Sequence, residues 1–245
     1  MGLFNVQTVC TDNEVLADAC WTISHLSDGE NERIDVIINA EGLLPSLVRL
    51  LAHPANNVVK PALRALGNVV TGDDRQTAAA LAAGLVPKLS EMLEHSQANI
   101  RKEACWTLSN ITAGTQDQIN MVIEAGCLPK LVKILNEDIF DVQKEATWVL
   151  SNATSGGSSP HIHKVVEAGA LGPYVNMLSN HDTRIILVAL EGLQNIFRTG
   201  RDASRLGEYI AEFNNENGES MVRSLTDHSD EQIASGARTI IERYF

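Results

Sequence analysis

KEACWTLSNITAG at residues 102–114 is written again, with small changes, as KEATWVLSNATSG at 144–156 and as ACWTISHLSDG at 19–29. Two weaker copies, LRALGNVVTG at 63–72 and LEGLQNIFRTG at 190–200, keep one polar position of the motif. That position holds His25, Asn68, Asn110, Asn152 and Asn195, with spacings of 43, 42, 42 and 43 residues. An unrelated marker keeps the same period: Gly42, Gly84, Gly126 and Gly169 recur at intervals of 42, 42 and 43, each followed by a proline at Pro45, Pro87, Pro129 and Pro173. Trp21, Trp106 and Trp148, all the tryptophans of the chain, share one phase. Two independent markers on one period define a repeat protein, whose units bury their apolar faces against neighbours instead of around one core.

Within one unit the periodicity is helical throughout. TQDQINMVIEAG from Thr115 reads as a short helix closed by Gly126, and Pro129 sits at the start of the next helix, where its missing N–H costs nothing. A third helix reads from Val142 to Ser155 and ends at Gly156. Three helices in about 42 residues is the armadillo plan. The expected fold is therefore an all-α armadillo-repeat α-solenoid, a right-handed superhelix with its third helices along the concave side. The expected organisation is a single solenoid: a partial repeat at 1–28, full repeats at 29–71, 72–113, 114–155 and 156–199, and a terminal capping repeat at 200–245. Residues 2–11 fall in the phase of a second helix, so the sequence opens partway through a repeat, and EQIASGARTIIERYF reads as the cap.

Composition narrows the function classes. Of 245 residues, 20% are charged and 44% apolar, and no uncharged apolar run approaches the roughly 18 residues that would span a bilayer. The opening MGLFNVQTVC has neither a basic start nor a cleavage site, which reads as a chain that is not secreted. The net charge of −12 repels phosphate backbones and anionic lipid, arguing against nucleic acid and membrane as partners and in favour of basic peptides. Cys10, Cys20, Cys105 and Cys127 fit no CxxC pattern and read as small buried residues in a reducing compartment. His161 and His163 have no third ligand placed to complete a metal site; Gly156, Gly157 and Ser158 lack the strand and GK[ST] of a phosphate loop. No serine sits on a nucleophile elbow. No enzyme activity and no cofactor is expected.

A tryptophan and an asparagine four apart project from one face of a helix. Trp106 with Asn110 and Trp148 with Asn152 are such pairs. Packed helices lie about 8–10 Å apart, and an extended peptide advances about 3.3 Å per residue, so each repeat spans about three peptide residues. An asparagine amide can bond the N–H and C=O of a bound strand whatever its side chains are. Successive indoles form slots for long aliphatic stems ending in a cation, and Glu103 and Glu145, three residues before a tryptophan, stand where they can meet that charge.

ACWTISHLSDG, ALRALGNVVTGDD, KEACWTLSNITAG, KEATWVLSNATSGG, VALEGLQNI and the final IIERYF resemble importin-α, the nuclear-import adaptors, from about the fourth or fifth armadillo repeat to the tenth. Even the arginine that replaces the sixth repeat's tryptophan is present, as Arg64. The resemblance implies binding of nuclear localisation signals rich in lysine and arginine, and shuttling between cytoplasm and nucleus. Its minor peptide site maps to Asn68, Thr71, Asp74, Thr77, Lys102, Glu103, Trp106, Asn110, Glu145, Trp148 and Asn152, with Arg64, Ser109 and Asn195 also among the peptide-binding positions. Asp18, Trp21 and Asp28 would edge the major site, most of which is expected to be absent. His25 stands where the family often has tyrosine. The family's basic N-terminal segment that recruits importin-β has no counterpart here, so importin-β is expected to bind only through that missing segment. Residues 170–245 would keep part of the surface for the export receptor. The competing expectation is an armadillo scaffold without an import role; acid-flanked indoles favour the first, because a scaffold for acidic partners would line its groove with lysine and arginine.

Overall fold

The computed structural model describes residues 11–245, so the helix expected over 2–11 falls, but for its last residue, outside the described part, as does Cys10. The described residues form 16 helices and no strand. They fall into two compact units, one ending at Gly114 and the other running from Thr115 to Phe245.

The first unit contains α1 (Asn13–Ser27), α2 (Asn31–Asn39), α3 (Leu43–Leu50), α4 (Asn56–Val69), α5 (Asp74–Ala82), α6 (Leu85–Met92) and α7 (Ala98–Thr112). Its long third helices stack in order, α1 on α4 and α4 on α7, with the shorter helices behind them. The second unit contains α8 (Gln116–Glu124), α9 (Cys127–Glu137), α10 (Phe140–Gly156), α11 (Ser159–Glu167), α12 (Leu171–Leu178), α13 (Thr183–Asp202), α14 (Leu206–Asn215), α15 (Gly218–Ser224) and α16 (Glu231–Tyr244), with α10 on α13 and α13 on α16. Each unit is an armadillo-repeat α-solenoid in which consecutive layers share an aliphatic interior, such as Val58, Leu63 and Leu66 of α4 and Leu108 and Ile111 of α7, all fully buried.

Recurring local chemistry cuts the chain at corresponding places in several repeats. First helices α5 and α8 begin with reciprocal capping boxes, Asp73 with Gln76 and Thr115 with Gln118, which satisfy two orphan N–H groups at once. In α11 the same buried place is taken by His161, whose Nδ1 accepts from the Ser158 N–H at 3.2 Å. This is why that histidine is present, and its neighbour His163 turns away to the Tyr209 hydroxyl. Gly42, Gly84, Gly126 and Gly169 all have φ between +70° and +87°. A Cβ at the first three would meet nothing within 4 Å, so the backbone angle and not space selects glycine there. In the terminal repeat Asn217, at φ +58°, does the same work before α15. The third helix read from Val142 begins two residues earlier, at Phe140.

Candidate functional site

The faces of the third helices carry the recurring tryptophans and asparagines, and within each unit they are not equal.

In the first unit Trp21 is 36% exposed on α1 and stacks on His25 one turn later, with ring centroids 6.2 Å apart and planes inclined by 27°. Asp18 lies exposed on the same helix and Asp28, also exposed, is its C-cap residue. On α4 the tryptophan place belongs to Arg64, and the acid place three residues earlier belongs to Pro61. Lacking an acid of its own helix, the guanidinium reaches to α7, where Nε lies 2.6 Å from Glu103 Oε1 and Nη2 2.8 Å from Oε2. The same group lies over the Trp106 indole, 5.1 Å from the ring centroid. One face of Trp106 therefore already holds a cation, and the Glu103 carboxylate, with 11% of its side chain exposed, already has its charge partner. Glu103 is thus half of an ion pair inside the protein, hydrogen-bonded through Oε2. Gly67 makes the seat for the indole, since a Cβ there would stand 2.4 Å from Trp106 Cζ3.

The asparagines divide by what lies beneath them. Asn68 is buried and its Nδ2 donates to the Ser24 carbonyl at 2.9 Å and to Ser27 Oγ at 3.4 Å on α1. Asn195 is buried in the same way, with Nδ2 3.5 Å from Thr154 Oγ1 and Oδ1 accepting from Arg198 Nη2 at 2.9 Å. In both residues the NH2 group ties neighbouring repeats together. Asn110 is different. Two residues past the ladder position, α1 and α10 offer a hydroxyl, Ser27 and Thr154, whereas α4 offers Val70. The Asn110 Nδ2 is buried and has no hydrogen-bond partner among the described residues.

Other positions sort by exposure. Thr71 and Asp74 are exposed and Lys102 is half-buried, whereas Thr77 is 3% exposed with its hydroxyl 3.5 Å from the Val70 carbonyl. Ser109 is likewise buried, donating to the Trp106 carbonyl. The hydroxyls of Thr77 and Ser109 are thus taken up by backbone carbonyls, as hydroxyls on helices commonly are when one is in reach.

In the second unit Trp148 is 39% exposed on α10. It lines a cleft of about 180 Å³ with Lys144, Glu145, Asp182, Arg184 and Ile185, so side chains of α13 and its N-cap complete a site that α10 begins. Asp182 caps α13 by accepting from the Arg184 N–H at 3.1 Å, and its carboxylate also lies 3.9 Å from Lys144 Nζ. Asn152 is half-buried one turn beyond the indole. Asp182, Arg184 and Ile185 carry no recurring signal, because the repeat motif registers one helix and the cleft needs two; the hydroxyls at Ser27 and Thr154 do recur, and lie where the Asn68 and Asn195 amides are taken. Among the described residues no group of three His, Cys, Asp or Glu side chains is placed to hold a metal ion.

Known proteins show the same architecture and sequence. The Armadillo/beta-catenin-like repeat model matches residues 30–71, 73–113, 115–155 and 158–198, and the chain belongs to that family. Among solved structures it is similar to a designed armadillo repeat protein in complex with the peptide (KR)4, at 31% identity over all of both chains with a TM-score of 0.87. It is also similar to computationally designed armadillo repeat proteins for modular peptide recognition, at 29% identity and a TM-score of 0.88 over 98% of this chain and 97% of that one.

Among curated proteins, those it matches along nearly its whole length are importin-α subunits, which bears out the resemblance read from the repeats. It is 56% identical over 236 residues to importin subunit alpha-B of Dictyostelium discoideum, and 42% identical over 240 residues to importin subunit alpha-1b of Oryza sativa subsp. japonica. These alignments take in 95% and 96% of this chain but 46% and 45% of the relatives, so the chain spans a little under half their length.

Proposed function

We propose that this chain reads cargo for nuclear import, binding lysine- and arginine-rich localisation signals in extended form along the faces of its third helices. The observation that carries the reading is Trp148, 39% exposed in a cleft that Glu145 and Asp182 line together with Lys144 and Arg184: a flat π-face for a cation and an aliphatic stem, with carboxylates within reach. In the first unit Asn110 separately offers an amide donor with no hydrogen-bond partner among the described residues. The importin-α relatives and the designed armadillo chain that holds (KR)4 support the same ligand class. On this reading the chain cycles between cytoplasm and nucleus with its cargo, and residues 170–245 contribute to the export-receptor surface.

Titration of a fluorescent lysine-rich peptide against its alanine-substituted control tests it. The basic peptide is expected to bind saturably and the control not to bind. Asn110→Ala is expected to weaken binding by about 1–2 kcal/mol whatever the peptide's side chains, because it removes bonds to the peptide backbone. Equal binding of both peptides would refute the reading.

A further inference from the structure

The third-helix faces differ in charge at α13. At corresponding places of the third helices, counted from the ladder position, α1 presents Glu14, Asp18, Trp21 and Asp28, and α10 presents Asp141, Glu145, Trp148 and Ser155. On α13 the same places are Arg184, Val188, Glu191 and Arg198, so the indole is gone and two of the polar places are guanidinium groups.

Both arginines are exposed, Arg184 to 84% of its side chain. Arg184 lines the same cleft as Trp148. Its carboxylate neighbour Asp182, at 3.9 Å, is also the α13 cap and a neighbour of Lys144. Arg198 has a neutral partner: Asn195 Oδ1 accepts from its Nη2 at 2.9 Å, while Asn195 Nδ2 is itself tied to Thr154. The residue at the ladder place thus holds Arg198 in position, and what α13 offers the groove at that rung is a fixed guanidinium with donors to spare instead of an amide. Arg201, one turn on, lies over Tyr244 of α16 and extends the positive edge. Glu191 is the one acid on this face.

We propose that α13 forms a subsite for acidic side chains that continues the basic-peptide groove of α10, with Arg198 and Arg184 as its donors. Resting on the reading of Trp148 as a cation slot, this makes the ligand a segment of mixed charge. A lysine or arginine sits on Trp148 and aspartate or glutamate lies about three residues away, on one side only, because one helix-to-helix step of about 8–10 Å equals about three extended residues. Guanidinium forks match carboxylates in shape as well as charge, which makes the subsite selective for acids over neutral polar residues.

Three peptides with one common basic block test the idea on the full chain: one with a neutral flank, one with acidic residues on its N-terminal side and one with them on its C-terminal side. At low salt one of the two acidic peptides is expected to bind about two- to fivefold more tightly than the neutral one, the range of an exposed ion pair, with the advantage shrinking past about 0.15 M salt. Arg198→Ala is expected to abolish the advantage and Arg198→Glu to invert it, with neutral-flank binding and circular dichroism unchanged. Arg184→Ala, at the other end of the face, is expected to reduce it. If the neutral-flank peptide binds but neither acidic flank helps, or the advantage survives Arg198→Glu, the acidic subsite is wrong and the cation slot stands. If no peptide binds, both fall.

Discussion

Trp106 and Trp148 occupy the same place in successive repeats, yet the first is covered by a cation of its own chain and the second stands 39% exposed. Trp106 is wedged on Gly67, covered on one face by Arg64 and backed by the Arg64–Glu103 pair. Trp148 stands 39% exposed over an open cleft. The cause lies one repeat upstream in the first unit: α4 has glycine where α1 has Ser24, which lets the indole in, and arginine where α1 has Trp21, which closes over it. A repeated motif therefore fixes where a side chain starts but not what it is free to do, because its surroundings come from a different copy of the motif.

The largest expected effect is on stability. Trp106→Ala is expected to cost about 3 kcal/mol of unfolding free energy through lost packing and an exposed ion pair, and Gly67→Ala about 2 kcal/mol by overpacking. Trp148→Ala is expected to cost less than about 1 kcal/mol, since much of that ring is already in water. Urea titrations of the three variants check this ranking, and equal losses for the two tryptophans would erase the distinction between the rungs.

Binding is expected to show the reverse emphasis. Trp148→Ala is expected to weaken a basic peptide by about 1–3 kcal/mol, from lost apolar area and the cation–π attraction, at nearly unchanged melting temperature. A smaller effect of opposite sign is expected at Arg64. Its removal frees one face of Trp106 for a ligand cation, so Arg64→Ala is expected to tighten basic-peptide binding by about 0.5–1 kcal/mol. Calorimetric titration decides; a loss of affinity would mean that Arg64 supports the ligand instead of standing in for it.

The smallest effect concerns acid and compares the outer layers of the two units. In the first, Asp35 on α2 accepts from Gln76 and Arg75 of α5, and the Gln76 bond first, then Arg75, hold its carboxyl below the usual carboxylate range. In the second, the Arg205 guanidinium beside Glu208 does the same for that carboxyl. Both folded values lie below the unfolded ones, so each contribution is fully present above the ordinary carboxylate pKa and is lost as pH falls through the lower folded value. Stability is expected to decline modestly from about pH 5 downward. Arg75→Ala is expected to flatten that decline in a stability–pH profile, and an unchanged slope would remove Asp35 from the account.

Much of this was legible in the sequence for a simple reason. Period, helix boundaries and the glycine turns depend on local chemistry: capping boxes, left-handed glycines and apolar spacing act within a few residues, so each repeat announces them again. The third-helix phase of Trp106, Trp148 and the asparagines follows from the 3.6-residue turn alone. What the sequence left open are interactions between repeats. That Arg64 would pair with Glu103 and cover Trp106, that Asn68 and Asn195 would give their amides to the helix below while Asn110 has no such acceptor, and that Asp182 and Arg184 would complete the Trp148 cleft all depend on which residues of one copy face which residues of the next. Those pairings join residues about 40 positions apart, across helices whose relative rotation is set by side-chain packing, and only the tertiary structure decides them.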